Sequence, residues 1–382
     1  MTAGSESAAY DIVPYDPALK PQIAALQRHL WRGDVALNTA YFEWKYEQNP
    51  YVNAPLVHLA MHGGQVVGMR GMFGSQWEVG TPAQTVLIPA ADDLVIAPAH
   101  RTRGLFARIM QAALEDAAAR GYPCAVSLSP GPITLAGSLA TGWRSAGLMR
   151  PVYREARTHT VARRLYEKLR GLPLRPRWTD AARLAAGSVE GNVFKSLDRQ
   201  GTRRADGPGV SLERVPRISG MADLVRRLPR DGRLRHTRDE RYLAWRFRNP
   251  LHEYRFLFTG GEHLDGYLVL KTDHTGRRRE VAIVDWEGTS SAIRLELLRA
   301  AIEWGRFQNL VVWTSSLPRD TVAQLAAAGF VRLDHGPLGR HLPSLLVRAI
   351  TKDDAPAEPT LGGLRLLDPA SWDMRMLYSM AG

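Results

Sequence analysis

The segment Tyr41-Phe42-Glu43-Trp44-Lys45-Tyr46-Glu47-Gln48-Asn49-Pro50 returns later in the chain as Tyr242-Leu243-Ala244-Trp245-Arg246-Phe247-Arg248-Asn249-Pro250. Each copy reads as the end of an amphipathic helix stopped by Asn-Pro, because proline disfavours helix at the residue before it. An alternating apolar strand follows (55–62 and 254–259), then a glycine-containing turn and a second strand (65–72 and 264–271). The copies stand about 200 residues apart, a domain's length rather than a solenoid's. The 382 residues must therefore fold as two related domains.

The order continues in both copies. In the first, a third strand at 93–97 leads to a helix over 103–120, whose Leu105, Phe106, Ile109, Met110, Ala113, Leu114 and Ala117 recur at helical spacing. A strand at 124–128, a short helix at 133–140 and Gly142-Trp143 before a last strand complete it. In the second, strands at 281–286 and 310–314 and one opening at Phe330 alternate with helices at 292–306 and 321–328. The class is α/β. The division reads as a first domain at 1–155, a basic linker with one or two helices at 156–209, a second domain at 210–350 and an appendage at 351–382.

Composition narrows the function. With 45% hydrophobic and 23% charged residues the chain is neither disordered nor collagenous. One cysteine, Cys124, excludes a disulfide scaffold and a Cys-rich metal site, and suits a reducing cytoplasm. The first residues have no basic-then-apolar leader pattern, and the longest uncharged stretch, 121–143, carries Pro123, Pro130 and Pro132, so it is no spanning helix. The histidines lack ligand spacing, so no metal is expected. The net charge of +12 suggests nucleic acid at first. It is confined, however, to 151–209 and 226–248, while 1–150 is neutral, and no nucleic-acid module surrounds either basic segment. No nucleic-acid partner is expected.

Chemistry concentrates in Asp93-Leu94-Val95-Ile96-Ala97-Pro98-Ala99-His100-Arg101-Thr102-Arg103-Gly104-Leu105-Phe106-Ala107-Arg108-Ile109-Met110. A strand runs through an Arg- and Gly-bearing turn straight into an amphipathic helix. The first turn of a helix has free N–H groups and the positive end of the macrodipole, so it captures anions. Gly104 admits close backbone approach, and Arg101 and Arg103 add charge. The turn is neither a Walker A loop nor a dinucleotide fingerprint.

This segment resembles the signature of the GNAT superfamily of acyl-coenzyme A-dependent N-acetyltransferases: a strand ending in proline, then Arg-x-x-Gly-x-Gly/Ala at a helix start. The resemblance covers most of 1–155 and implies two GNAT-like domains, each a mixed, mostly antiparallel sheet flanked by helices. It implies acetyl-CoA or another acyl-CoA as acyl donor. Arg101, Thr102, Arg103, Gly104, Leu105, Phe106 and Ala107 would face its pyrophosphate, and the backbone of Leu94, Val95 and Ile96 its pantetheine arm. Phe106 departs from the commoner Gly or Ala and is similar to the branch that includes the enhanced intracellular survival acetyltransferases. The second copy has Trp286-Glu287-Gly288-Thr289-Ser290-Ser291 at the corresponding place, without arginine. It is expected to be a degenerate domain that does not bind the donor and that walls the acceptor pocket.

Acyl transfer to an amine needs a base for the amine and an acid for the leaving thiolate. Asp92 and Asp93 stand where the family often places its base, and strand alternation would point only one of them at the site. Ala90 occupies the commonest base position and Ser138 that of the usual tyrosine acid, with Tyr122, Tyr153 or solvent as substitutes. His100 could touch a phosphate. Trp44, Trp245 and their neighbours read as core, and Cys124 as a buried inert thiol. The basic amphipathic stretch 161–178 reads as a domain-bridging helix or a contact with an anionic membrane surface. The leading expectation is a small-molecule N-acyltransferase acting on an amino sugar, an amino acid derivative or another amine. The alternatives are a membrane-peripheral acyltransferase for envelope glycans or lipid-linked sugars, and a non-catalytic interaction module.

Overall fold

The computed structural model describes residues 9–31, 34–128, 130–155, 193–201, 209–273, 280–305, 307, 309–332, 343–350 and 358–380. The stretch 161–178, with the membrane contact expected of it, lies outside them. In chain order the elements are β1 (Asp11–Pro14), α1 (Lys20–Trp31), α2 (Val35–Phe42), β2 (Leu56–His62), β3 (Gln65–Val79), β4 (Gln84–Ile96), α3 (Leu105–Ala119), β5 (Cys124–Leu128), α4 (Pro132–Ala140), β6 (Arg144–Leu148) and β7 (Pro151–Glu155). Then come α5 (Lys195–Gly201), β8 (Ser211–Glu213), α6 (Ile218–Arg227), β9 (Leu234–His236), α7 (Glu240–Arg246), β10 (His252–Gly260), β11 (Leu264–Asp273) and β12 (Glu280–Gly288). The chain continues with α8 (Ser291–Gly305), β13 (Asn309–Trp313), α9 (Arg319–Ala327), β14 (Val331–Arg332), β15 (Ser344–Ala349), a β16–β17 hairpin (Thr360–Leu361, Leu364–Arg365) and β18 (Trp372–Asp373).

These elements form two units. The first comprises Met1–Arg150, Pro229–Leu251 and Pro337–Gly382; the second comprises Pro151–Leu228 and His252–Gly336. Segments that the sequence reading places in the second repeat, among them α7 and β15, thus belong to the first unit.

The first unit's sheet runs β1-β2-β3-β4-β5-β15-β6, with β9 paired to the far end of β3 and β18 to β9. It is antiparallel except at β4–β5 and β18–β9. Helix α3 buries Leu105, Ile109, Met110, Ala113, Leu114 and Ala117, so the helical stripe read from the sequence is its buried face. Met72, Ala91, Ala125, Trp143 and Leu346 join Met110, Ala113 and Leu114 in one apolar cluster. The β3–β4 hairpin extends well beyond the expected strands at 65–72 and 93–97. Gly74 and Pro89 interrupt its sequence pattern, yet they pair with each other across it.

The two repeats differ by one residue. Four residues separate Trp44 from Asn49, whereas three separate Trp245 from Asn249. The additional residue converts Glu43–Glu47 into a π-helical turn, closed by the Gln48 N–H donating to the Glu43 carbonyl at 2.8 Å. Otherwise the repeats meet reciprocally within this unit. The indoles of Trp44 and Trp245 stack at 4.7 Å and 8°, and each Nε1 donates to the other's backbone carbonyl at 2.7 Å.

The second unit's sheet runs β14-β7-β13-β12-β11-β10-β8. Only β12–β13 is parallel. Its core gathers Leu268, Leu270, Ile283, Trp286, Leu297, Leu298, Trp304 and Leu310, with α8 covering the sheet. Each sheet therefore incorporates a strand from the other repeat's sequence: β7 lies between β13 and β14, and β15 between β5 and β6.

Candidate functional site

In the first unit β4 and β5 are in register at one position only, Ala90 opposite Val126. Beyond it β4 continues through Ile96, held on its other side by β3, with Met69 opposite Val95 and Gly68 opposite Ile96. The edge of β4 carrying Leu94, Val95 and Ile96 is thus open towards β5. An extended polar molecule could pair with such an edge.

The open edge leads into the turn. Pro98–His100 makes one 3-10 turn, Thr102 has φ 62° and Gly104 has φ 71°. That left-handed value admits glycine most readily, and a side chain there would meet nothing within 4 Å. Helix α3 starts at Leu105 with no side-chain cap, and the Arg108 N–H is the first to bond back, to the Gly104 carbonyl at 3.3 Å. The N–H groups of Gly104, Leu105, Phe106 and Ala107 therefore precede the first intrahelical bond. Arg101, Thr102, Arg103 and Gly104 are all exposed. The Arg101 Nε donates to the Ile96 carbonyl at 3.1 Å, which ties its guanidinium to the strand end. Leu105 is buried, Phe106 half-buried and Ala107 exposed. The Phe106 ring lies against Gly137 of α4 so closely that a methyl group there would be 2.7 Å from it. Beside the turn, His100 Nδ1 is 2.9 Å from the Tyr10 hydroxyl, and Tyr10 stacks on His62. Desolvation, then His62 and Arg103, holds the His100 imidazole below its ordinary pKa.

The carboxylates depart from the expected alternation. Gly71 pairs with Asp92 but Met69 with Val95, so β4 carries one extra residue, a β-bulge, and Asp93 takes φ 51°. The bulge turns both carboxylates towards one cation. Lys45 Nζ lies 2.8 Å from Asp92 Oδ2 and 3.0 Å from Asp93 Oδ2, and donates to the Tyr41 hydroxyl at 3.0 Å. The Tyr46 hydroxyl donates to Asp93 Oδ2 at 2.8 Å, from the place a side chain on residue 71 would fill. The rings of Tyr41, Tyr46, Phe73 and Trp31 surround the ammonium at 5.0 to 5.9 Å. The Asp92 side chain is 22% exposed, while those of Asp93 and Lys45 are fully enclosed. Asp92 is thus the more exposed of the two carboxylates.

Burial shapes the electrostatics. It opposes the Lys45 charge, but Asp92 and Asp93 outweigh it and hold the ammonium above its usual range. Burial also raises the Asp93 carboxyl against the pull of Lys45. Burial pushes the hydroxyls of Tyr41 and Tyr46 up, so both stay protonated, the first accepting from Lys45 and the second donating to Asp93. Arg70, opposite the bulge, is enclosed and pushed down to about 10 by burial, and its Nε and Nη2 have no partner among the described residues.

Ser138 stands apart from this group. It lies on α4, wholly buried, with no hydrogen-bond partner for Oγ among the described residues. Tyr122 is half-buried against the α3 cluster, and Tyr153 stands in β7 of the second unit. Burial pushes the Cys124 thiol up to about 12. Lys45, Tyr41 and Tyr46 were not singled out from the sequence as functional. The signal that could have found them was the one-residue offset between the repeats.

In the second unit β12 and β13 are in register up to Ile283 opposite Val312, and β12 then continues to Gly288. It too has a bulge, with the Tyr267 hydroxyl donating to Asp285 Oδ2 at 2.7 Å. The helix start differs. Arg294, in the first turn of α8, folds back so that Nη1 donates to the Gly288 carbonyl at 3.0 Å and Nε to Thr321 Oγ1 at 3.1 Å. A cation of the protein's own stands at that helix start.

Comparison with known proteins agrees with this geometry. A family model described as an acetyltransferase (GNAT) domain matches residues 16–138. Among solved structures, the chain is similar to a GCN5-related N-acetyltransferase from Anabaena variabilis, with 13% identity over 90% of this chain and 73% of that one and a TM-score of 0.57. A probable N-acyltransferase from Enterococcus faecalis has 10% identity over 90% of this chain and 73% of that one, also at 0.57. A tandem GNAT protein from the clavulanic acid biosynthesis pathway has 12% identity over 91% of this chain and all of that one, at 0.51. Sequence comparison with curated proteins finds no match.

Proposed function

We propose, from the match of residues 16–138 to an acetyltransferase (GNAT) domain, that the chain transfers an acyl group from acyl-coenzyme A to the amine of a small molecule. The observation that carries this reading is the single β4–β5 register at Ala90, which opens directly onto the uncapped start of α3. The residues fit a pyrophosphate-bearing donor. Gly104 to Ala107 offer N–H groups, Arg101 and Arg103 offer charge, and nothing crowds the approach at Gly104. Leu94, Val95 and Ile96 offer backbone groups to a pantetheine arm. Bound there, acyl-coenzyme A supplies an activated thioester.

Asp92 takes the proton from the acceptor ammonium, directly or through water, and the freed amine attacks the thioester carbonyl. The C–N bond forms and the C–S bond breaks; the nitrogen gives up its second proton to solvent, and the leaving sulfur takes one from solvent. Asp93, enclosed and held by Tyr46, fixes the bulge. The acceptor is a small amine such as an amino sugar or amino acid derivative. The second unit is read as not binding the donor, because its turn from Trp286 to Ser291 carries no arginine and its one glycine, Gly288, still belongs to β12.

Calorimetry and thermal-shift titration with acetyl-CoA test the donor site. Arg101→Ala should weaken binding about tenfold or more, as loss of one charge-assisted contact implies, and Gly104→Glu should abolish it. If neither variant alters a coenzyme A-dependent shift, the assignment is wrong. Release of free thiol across an amine panel, lost in Asp92→Asn, tests the reaction.

A further inference from the structure

The two repeats place a cation at the same point, immediately after the stacked tryptophan, and use it differently. In the second repeat Arg246 donates to the carbonyls of Leu377 at 2.8 Å and Ser379 at 3.1 Å, holding the C-terminal segment. In the first repeat the inserted residue winds the helix into a π-turn, and Lys45 and Tyr46 are both drawn inside. An ordinary helical turn would point consecutive side chains about 100° apart. The wider turn lets neighbouring residues serve neighbouring carboxylates, Lys45 on Asp92 and Asp93 and Tyr46 on Asp93.

We infer that Lys45 is the positioning residue for Asp92: it keeps the more exposed carboxylate oriented and charged although a second, buried carboxylate stands beside it. This rests on the acyltransferase reading, in which Asp92 is the base. Two carboxylates around one point, without a cation, share a proton. Lys45, bonded to both carboxylates, stands in the place of that shared proton and leaves Asp92 free to accept one. The other groups facing the pair are the Tyr46 hydroxyl, which donates to Asp93, the Tyr41 hydroxyl, which accepts from Lys45, and Arg70, which neighbours both carboxylates electrostatically without bonding to either.

The test is the pH profile of kcat for Lys45→Met, Lys45→Arg, Asp92→Asn and the double variant Lys45→Met/Asp93→Asn. Lys45→Met should move the acidic limb to higher pH by about 1 to 2 units, with KM for acetyl-CoA within about twofold of the parent. Lys45→Arg should keep the limb. The double variant, which removes the competing carboxylate, should return it towards the parent position. A loss in Lys45→Met that is equal at every pH, with no restoration by Asp93→Asn, would mean that Lys45 merely supports the fold and would overturn the inference. Titration of carboxyl carbons in protein labelled with 13C-aspartate reads the same change without turnover, the Asp92 signal being the one lost in Asp92→Asn. It should move to higher pH in Lys45→Met; an unmoved Asp92 signal sinks the inference whether or not an acceptor is known. Full activity in Asp92→Asn would instead remove the base reading and leave the donor site standing.

Discussion

Gly104 offers a test in which backbone conformation and side-chain size give opposite answers. Its φ of 71° lies in the left-handed region, and a Cβ built there meets nothing within 4 Å. Replacing it therefore carries no steric term. The cost is the conformation alone, about 1 to 2 kcal/mol for an ordinary L-residue. Asparagine tolerates this region several-fold better than most residues, and β-branched valine worse than alanine. Stability of the first unit should thus fall in the order Gly, Asn, Ala, Val, although asparagine is larger than alanine. At about 2 to 4 °C per kcal/mol for a unit of this size, Gly104→Ala should lower the melting transition by a few degrees. Acetyl-CoA affinity should follow the same order, because a turn that relaxes to negative φ re-aims the N–H groups that open α3. Thermal unfolding and calorimetry on the four proteins supply both readouts. A series ordered by size, or an alanine variant as stable as the parent, would refute the reasoning.

Two further outcomes are expected. His236 is buried against Tyr378 and Tyr242, and burial pushes its imidazole down to about 3. The unfolded chain binds a proton there at a higher pH than the folded one, so stability should fall as pH drops below about 6.5, by roughly 1 kcal/mol per pH unit; His236→Phe should flatten that slope in urea titrations between pH 4 and 7. Gly137→Ala should drive its new methyl into the Phe106 ring and destabilise by about 1 to 3 kcal/mol, and Phe106→Leu in the same chain should recover much of the loss, as chemical denaturation can measure.

Much of the local architecture was legible because local physics decides it. The stripe from Leu105 to Ala117 can face only one way, and the apolar run at Cys124–Leu128, bounded by turn residues, has only a strand to become. The turn into α3 was legible because Arg101, Arg103 and Gly104 combine charge, conformation and a helix start in a few consecutive residues. The carboxylates were legible as a pair but not in direction, since alternation fails at a bulge and a bulge depends on the register of β3. Lys45 was hidden inside a motif that reads as core; its meaning comes from one extra helical residue and from contacts with strand β4. The insertion of β15 beside β5 was not legible at all, because strands from either repeat carry the same apolar alternation, and pairing across long separations leaves no local mark.

That last feature constrains how the protein comes into being. The first unit's sheet has a place between β5 and β6 that only residues 344–349 fill. During synthesis, β5 and β6 leave the ribosome about 200 residues before their partner, at 5 to 20 residues per second some 10 to 40 seconds earlier. Throughout that interval the nascent first repeat carries two unpaired strand edges, on β5 and β6. A ribosome that stalls or terminates before β15 leaves the first unit's sheet open between β5 and β6, for chaperones and proteases to recognise. The second repeat thereby comes before completion of the first unit: its last strand must be made before the first repeat's sheet can close.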